Sequence, residues 1–382
     1  MNLVYLDNSA TSWPKPPAVI DAVCRCMQQT GGNPGRSGHA MSLDAARLIF
    51  NAREQLASFF GLSDSQRLVF TSNATHAINI ALKGLLNAGD SVSVSGLEHN
   101  SVMRPLRNLE QKIGIKINVL KANKFGILSD ESFLNEISEK TKLLVVSHAS
   151  NVTGALQPLK MIGAFCRKKN ITFMVDSAQT AGLIPIHIEK DFIDILTFTG
   201  HKSMLGPQGI GGICIGKNIQ LESLLQGGTG SNSELEVQPE FLPDSLESGT
   251  PNTPGIAGLA AGVNFINEIG IENIHEHEIS LAKLTLDMLS EIKEVKVYGP
   301  DNSADRTGTI SFNVVGINSS TIGHKLDKEF SIMTRTGLHC SPLAHKTTGT
   351  YPGGTVRLSP GFFTTKENII FFIESLKSII FA

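Results

Sequence analysis

Lys202 stands where a lysine is costly to keep. TFTGHKSMLGPQGIGG (197–212) reads as an apolar strand ending in Thr199, Gly200 and His201, then Lys202, then a glycine-rich turn. An unpaired buried ammonium is unfavourable, but desolvation lowers the pKa of an amine and makes it a nucleophile able to form a Schiff base. A lysine snorkelling from a strand end is the plain alternative, and the phosphate-loop pattern GxxxxGK[ST] is absent. ITFMVDSAQTAG (171–182) adds Asp176 at the end of a second apolar strand, one strand–helix–strand step earlier. A carboxylate so placed can pair with a protonated ring nitrogen and keep that ring an electron sink, and Gln179 is within reach of a phenolic oxygen on it. Alone, Asp176 also suits a helix N-cap; strand–Asp–x–x–Gln followed by strand–His–Lys is the more specific pattern.

An anion site is the third component. FTSNATHAIN (70–79) runs from a strand into a helix with small residues at the junction, where backbone N–H groups and the Thr75 hydroxyl can cradle a phosphate. A simple cap by Asn73 or Thr75 would leave the same trace. In SGLEHNSVMRPL (95–106), His99 follows another strand and can lie on a cofactor face and move protons, or serve as a structural histidine. A Schiff-base lysine, a ring-nitrogen partner and a phosphate cradle together point to pyridoxal 5'-phosphate (PLP).

The last chemical element is IMTRTGLHCSPLAHKTTGTYPGGTVRLSPGFFTTKENI (332–369). Cys340 sits in a Gly-, Pro- and Thr-rich stretch with Arg335, His339, His345 and Lys346 around it. His339, His345 and Lys346 are expected to supply positive surroundings, which favour the thiolate. Gly337, Pro342 and the threonines suggest a loop able to move between a cofactor and an acceptor. Arg357, after a short strand, offers a planar fork suited to a carboxylate. The alternative is a structural cysteine with Arg357 in a surface ion pair.

These residues need a frame. RLVFTS, SVSVS, IKINVL, KLLVVSH, ITFMVD, DILTFTG and GICIG read as seven strands, apolar nearly throughout, as in a sheet covered on both faces. THAINIALKGLLNAG and LKMIGAFCRKKN are crossover helices, so the sheet is mostly parallel and ligands bind beyond its carboxyl ends. The fold class is therefore α/β, with two or three domains in 382 residues. Residues 226–255, rich in Gly, Pro, Ser and acids, read as an ordered excursion, and 256–274 as one long helical segment. A large domain over 15–253 and a smaller α+β domain over 254–382, joined by residues 1–14, are expected.

Composition narrows the function. A net charge of −2 without a basic cluster argues against nucleic-acid or membrane-surface partners. No leader pattern opens the chain and no apolar run suits a membrane span. Five scattered cysteines, with one CxC pair at Cys24 and Cys26 and no second pair to complete a zinc site, suit a reducing cytoplasm.

The ordered set YLDNSATS (5–12), TSNATHAIN, LEHN, SHASNVTGALQP, VDSAQ, TGHK, SGTPNTPG, RTGLHCSPLAH and VRLSPGFFTT resembles the cysteine desulfurases of the class V aminotransferase group, fold-type I PLP enzymes, over nearly the whole chain. The resemblance implies that Lys202 carries PLP, Asp176 partners the pyridinium, Gln179 meets the phenolic oxygen and His99 stacks on the ring. It implies that Ala74, Thr75, Thr199 and His201 hold the phosphate, and that Asn151 lies beside the ring near the substrate carboxylate. Arg357 would clamp that carboxylate, and Thr250 would reach the phosphate of a neighbouring subunit in a homodimer. Cys340 would take sulfur from L-cysteine as a persulfide, leaving L-alanine, for a sulfur-acceptor protein. The short RTGLHC segment is more similar to group II desulfurases and selenocysteine lyase-like enzymes. His76, GGTGSNS (227–233) and LAHKTTGTYPGG depart from the family pattern. An L-selenocysteine lyase, another C–S β-lyase or aminotransferase, and a non-catalytic sulfur-relay protein are the competing readings.

Overall fold

The seven apolar runs become the strands of one sheet in the computed structural model, which describes residues 3–35, 37–123, 125–128, 131–231 and 234–382. Val4–Tyr5 forms β1, and Pro17–Gln29 and Ala40–Phe59 form α1 and α2. The runs follow as β2 (Leu68–Thr71), β3 (Ser91–Ser95), β4 (Lys116–Leu120), β5 (Thr141–Ser147), β6 (Thr172–Asp176), β7 (Ile195–Thr199) and β8 (Gly211–Ile215). Between them lie α3 (Ala74–Leu85), α4 (Asn100–Ile113) and α5 (Leu159–Lys169). Across the sheet the order is β2-β8-β7-β6-β5-β3-β4. β8 runs antiparallel to both neighbours and the other pairs are parallel.

Alternate residues of each strand feed opposite cores, as a period of two requires. Leu144 and Val146 of β5 pack with Leu56 of α2, Ile162 of α5 and Phe198. Leu143 and Val145 pack with Ile78 of α3 and Leu106 of α4 on the other face. Helices thus cover both sides, which explains why the strands are apolar throughout. Thr71, Ser95, Ser147, Asp176 and Thr199 end β2, β3, β5, β6 and β7, all on one edge of the sheet.

The chain continues as α6 (Thr253–Ile269), α7 (Ile271–Ser290), β9 (Val295–Tyr298), β10 (Ile310–Val314), α8 (Ser319–Phe330), β11 (Ile332–Met333), β12 (Arg335–Gly337), α9 (Pro342–Thr348), β13 (Thr355–Leu358) and α10 (Lys366–Ile380). The expected single helical segment 256–274 is broken at Gly270, whose φ of 88° suits glycine. Ile256, Leu259 and Val263 of α6 enter the large-sheet core, and α6 packs on α1 and α2. Leu281 and Leu289 of α7 enter a separate core with Phe312, Leu326, Val356 and Phe372. That core rests on the antiparallel sheet β12-β13-β10-β9. Val4 and Leu6 join it, with β1 parallel to β11.

The excursion at 226–255 is anchored. Glu247 takes both Arg53 Nη atoms at 2.7 and 2.8 Å and the Phe70 N–H at 2.6 Å. Asn232 and Ser233 of GGTGSNS lie outside the described residues. Among the described residues no helix is long and apolar enough to cross a membrane.

Candidate active site

A cavity of about 320 Å³ opens at the carboxyl edge of the large sheet, where β12 and β13 approach it. It gathers Ala74, Thr75, His99, Asn151, Asp176, Gln179, Thr199, His201, Lys202 and Arg357. Local sequence explains most of these placements. Asp176 and Thr199 are the final residues of β6 and β7, and Lys202 sits in the turn after β7. Ala74 and Thr75 form the first turn of α3, which Asn73 caps by accepting the His76 N–H at 2.9 Å. Arg357 comes from β13 in the other sheet.

Burial sets the charge states. The Lys202 amine is held down to about 8, chiefly by desolvation, with Arg357 and Arg335 lowering it further against Asp176 and Asp7. Burial raises the Asp176 carboxyl, opposed by the Ala178 N–H at 2.9 Å and by Lys202. His99 caps α4, and its Nδ1 accepts the Ser101 N–H at 3.0 Å. The ring proton therefore resides on Nε2. Burial, then Lys202, Arg335, Arg104 and Arg357, push its pKa down to about 4, so the imidazole is neutral.

The loop carrying Cys340 differs from expectation in two ways. His339 and His345 are not its cations. His339 is 2% exposed, bonded through Nε2 to Thr355 Oγ1 at 2.9 Å, and pushed down to about 2 mainly by burial. His345 bonds Thr350 Oγ1 at 2.6 Å through Nδ1 and falls to about 4 by burial. Lys346 lies over the Tyr351 ring at 5.1 Å. The cation at the sulfur is Arg335, whose Nη2 donates to Cys340 Sγ at 3.3 Å. Nor is the segment loose. Asn100 N–H donates to the Cys340 carbonyl at 2.9 Å. Asn151 Nδ2 donates to the His339 carbonyl at 2.7 Å, and Ser341 Oγ donates to Asn151 Oδ1 at 2.6 Å. His339 and Cys340 both adopt positive φ, 49° and 59°, a conformation that non-glycine residues keep only when their surroundings enforce it. Cys340 is exposed and opens on a trough that shares Thr75, His99 and Ser101 with the cavity.

Arg357 is fully buried, and its Nη2 is paired with Asp7 while Nη1 reaches the Asn151 carbonyl at 3.1 Å. It stands opposite Arg335 in the β12–β13 register, so two guanidinium groups line one cavity wall. Thr250 does not reach this cavity within the chain; it lines a groove with Phe50, His76 and Leu225. The residue types alone missed Asp7, Ser9 and Ala10, although YLDNSATS stood out as a motif. Glu98 was also missed. It is fully buried, raised to about 7 chiefly by burial, and ties the ends of β3 and β5 through Ser95 and Ser147.

The residues fit PLP on the structure's own terms. Thr199 Oγ1 and His201 Nδ1 are buried without a partner among the described residues, both at the cavity beside the first turn of α3. Unspent donors at a helix start suit a phosphate, Asp176 suits a pyridinium, and a Lys202 amine held down to about 8 suits an aldehyde.

The aminotransferase class-V family profile matches residues 4–372, so the chain belongs to that family of PLP-dependent enzymes. Within it, the chain falls among the cysteine desulfurases. It is 33% identical to a probable cysteine desulfurase of Methanothermobacter thermautotrophicus over 98% of this chain and 94% of that one. It is 34% identical to a probable cysteine desulfurase of Borreliella burgdorferi over 99% and 92%. The solved apo cysteine desulfurase of Thermococcus onnurineus superposes with a TM-score of 0.93 at 32% identity, covering 99% of this chain and 94% of that one.

Proposed function

We propose that this PLP enzyme takes sulfur from L-cysteine, releases L-alanine and holds the sulfur as a persulfide on Cys340. The carrying observation is the exposed Cys340 Sγ, held beside Arg335 on a trough that shares a wall with the Lys202 cavity. When bound, PLP supplies an electron sink for charge developing at the substrate α-carbon. Lys202 would anchor the cofactor and would move the α-proton, a task suited to an amine held near 8. Asp176 would hold the ring nitrogen, and Thr75, Thr199, His201 and the start of α3 would hold the phosphate. His99 offers Nε2–H from a ring kept neutral by burial. Arg357 and Arg335 are the cations for the substrate carboxylate, with Arg357 Nε still unpartnered among the described residues. Asn151 holds the flanks of Cys340 as well as lining the cavity. The Cys340 thiolate attacks the substrate sulfur; an S–S bond forms as the Cβ–S bond breaks, and its electron pair stays with the carbon skeleton, which is protonated to alanine.

The same reading includes a homodimer, which the exposed apolar side chains support. Trp13, Ile20, Met27, Met41, Leu43 and Phe50 are large apolar side chains left exposed on the N-terminal segment, α1 and α2, and Thr250 lines one groove with Phe50. Free cysteines support a reducing cytoplasm. The packing of α6 supports a boundary for the small domain at Gly270 in place of Pro254.

One turnover with L-cysteine and no reductant tests the assignment. Cys340 is expected to gain one sulfur atom by mass, and Cys340→Ser to keep the bound cofactor but lose sulfur transfer. A Ser variant that releases alanine at the parent rate would make Cys340 structural and the protein a β-lyase. Turnover of L-selenocysteine alone would select the lyase reading, and turnover of neither amino acid the sulfur-relay one.

A further inference from the structure

The trough beside Cys340 runs between α3 and α4, walled by Thr75, Asn79 and Lys83 on one side and Asn100, Arg104 and Asn108 on the other. Among the described residues no acidic side chain lines it. Lys83 and Arg104 are exposed and join no ion pair among the described residues. Nearby cations are engaged elsewhere: Arg107 with Glu110 at 2.7 Å, and Lys346 over Tyr351. In a chain of net charge −2, two unspent cations with no acid are a local property of this surface.

We propose that this trough is the docking surface for the sulfur acceptor, and that the acceptor is a protein segment whose receiving thiol is flanked by carboxylates. The proposal rests on the reading of Cys340 as persulfide carrier. Thr75 and Lys83 lie two helical turns apart, roughly 12 Å along α3, which matches about four extended residues and exceeds a small thiol. Cationic walls steer an acidic segment and reject a basic one. In the transfer, the acceptor thiolate attacks the outer sulfur of the persulfide. One S–S bond forms as the other breaks, Cys340 leaves as thiolate beside Arg335, and the acceptor's thiol proton goes to water. The sulfur moves at unchanged oxidation state, so no further reductant is needed.

The test loads the holoenzyme with L-cysteine and offers three acceptors: dithiothreitol, a synthetic peptide with Asp and Glu flanking one Cys, and the same peptide with Lys and Arg instead. The acidic peptide is expected to accept sulfur about tenfold faster than the basic one at low salt. That gap should close once the screening length falls below about 10 Å. The double variant Lys83→Glu/Arg104→Glu should reverse the ranking, and Lys83→Gln or Arg104→Gln should narrow it. Dithiothreitol-supported alanine release should be unchanged in Lys83→Gln and serves in the Arg104 variants, where the charge also acts on His99, as the rate against which each peptide is normalised. Equal rates for the two peptides, or a ranking that survives the double variant, would overturn the docking proposal alone. Absence of alanine release with dithiothreitol from the parent enzyme would sink the desulfurase reading and this one with it.

Discussion

Arg335→Met isolates the cation that the structure places at the sulfur. The substitution keeps much of the apolar stem and removes the guanidinium whose Nη2 lies 3.3 Å from Cys340 Sγ. Because the contact is exposed, solvent screening limits it to at most about 1 kcal/mol. Expressed fully in the attacking sulfur, that is roughly a fivefold loss of rate. Rapid-quench measurement of persulfide formation should show it as a fall in the first-turnover rate. Because Arg335 also lines the cavity beside Arg357, the substrate carboxylate must be separated from the sulfur. Alkylation of resting Cys340 by iodoacetamide does so, since no substrate is present, and it should slow by a similar factor. Arg335→Lys retains charge without the planar fork and should fall between. Persulfide formation and alkylation at parent rates in Arg335→Met would refute the assignment and return the question to His339, His345 and Lys346.

Lys202→Ala should abolish turnover and the visible absorption of bound PLP while leaving the far-ultraviolet circular dichroism unchanged; residual turnover near the parent rate would remove the central lysine. Uptake of PLP by the cofactor-free protein needs the neutral amine, so its rate should rise as pH climbs through about 8 and level off above, as stopped-flow absorbance would record. Arg357→Ala strands Asp7 and the Asn151 carbonyl and should cost about 3 kcal/mol of stability, the low end for a broken buried pair because Asp7 is partly exposed. Chemical denaturation and the Michaelis constant for cysteine report the two effects separately, and an unchanged Michaelis constant would mean that Arg357 is not the carboxylate clamp. Burial lifts the Glu278 carboxyl from 4.5 to about 8, so folding takes up a proton between those values. Its favourable contribution is complete below 4.5 and is lost as pH rises through 8. Glu278→Gln should flatten the decline of Tm across that window, and an identical pH profile in the variant would contradict the buried, protonated acid.

Much of this was legible in the chain because it is local. A strand buried on both faces must be apolar throughout, so the seven runs and their order as strands were readable, and with them the polar residues at strand ends. Asp176, Thr199 and Lys202 follow directly, since the edge of a parallel sheet is where such residues converge. Gly270 carried a readable signal too, yet the apolar periodicity on either side outweighed it, and only the switch from one core to the other explains why the chain turns there.

The surroundings of Cys340 were decided by tertiary structure. In the sequence His339 is its neighbour and Arg335 lies five positions away, yet burial discharges the histidine and the strand β12 brings the guanidinium to the sulfur. Glycine, proline and threonine suggested a mobile loop; bonds from Asn100 and Asn151, both distant in the chain, fix it instead. The pairing of Asp7 with Arg357 spans 350 positions and leaves no periodic trace. The sequence by itself determined which residue types stand at the ends of which elements, because backbone period and apolar pattern are properties of neighbouring residues. Charge state, partner choice and the rigidity of the nucleophile depend on desolvation and on which groups meet across the fold, and only the packed structure determines those.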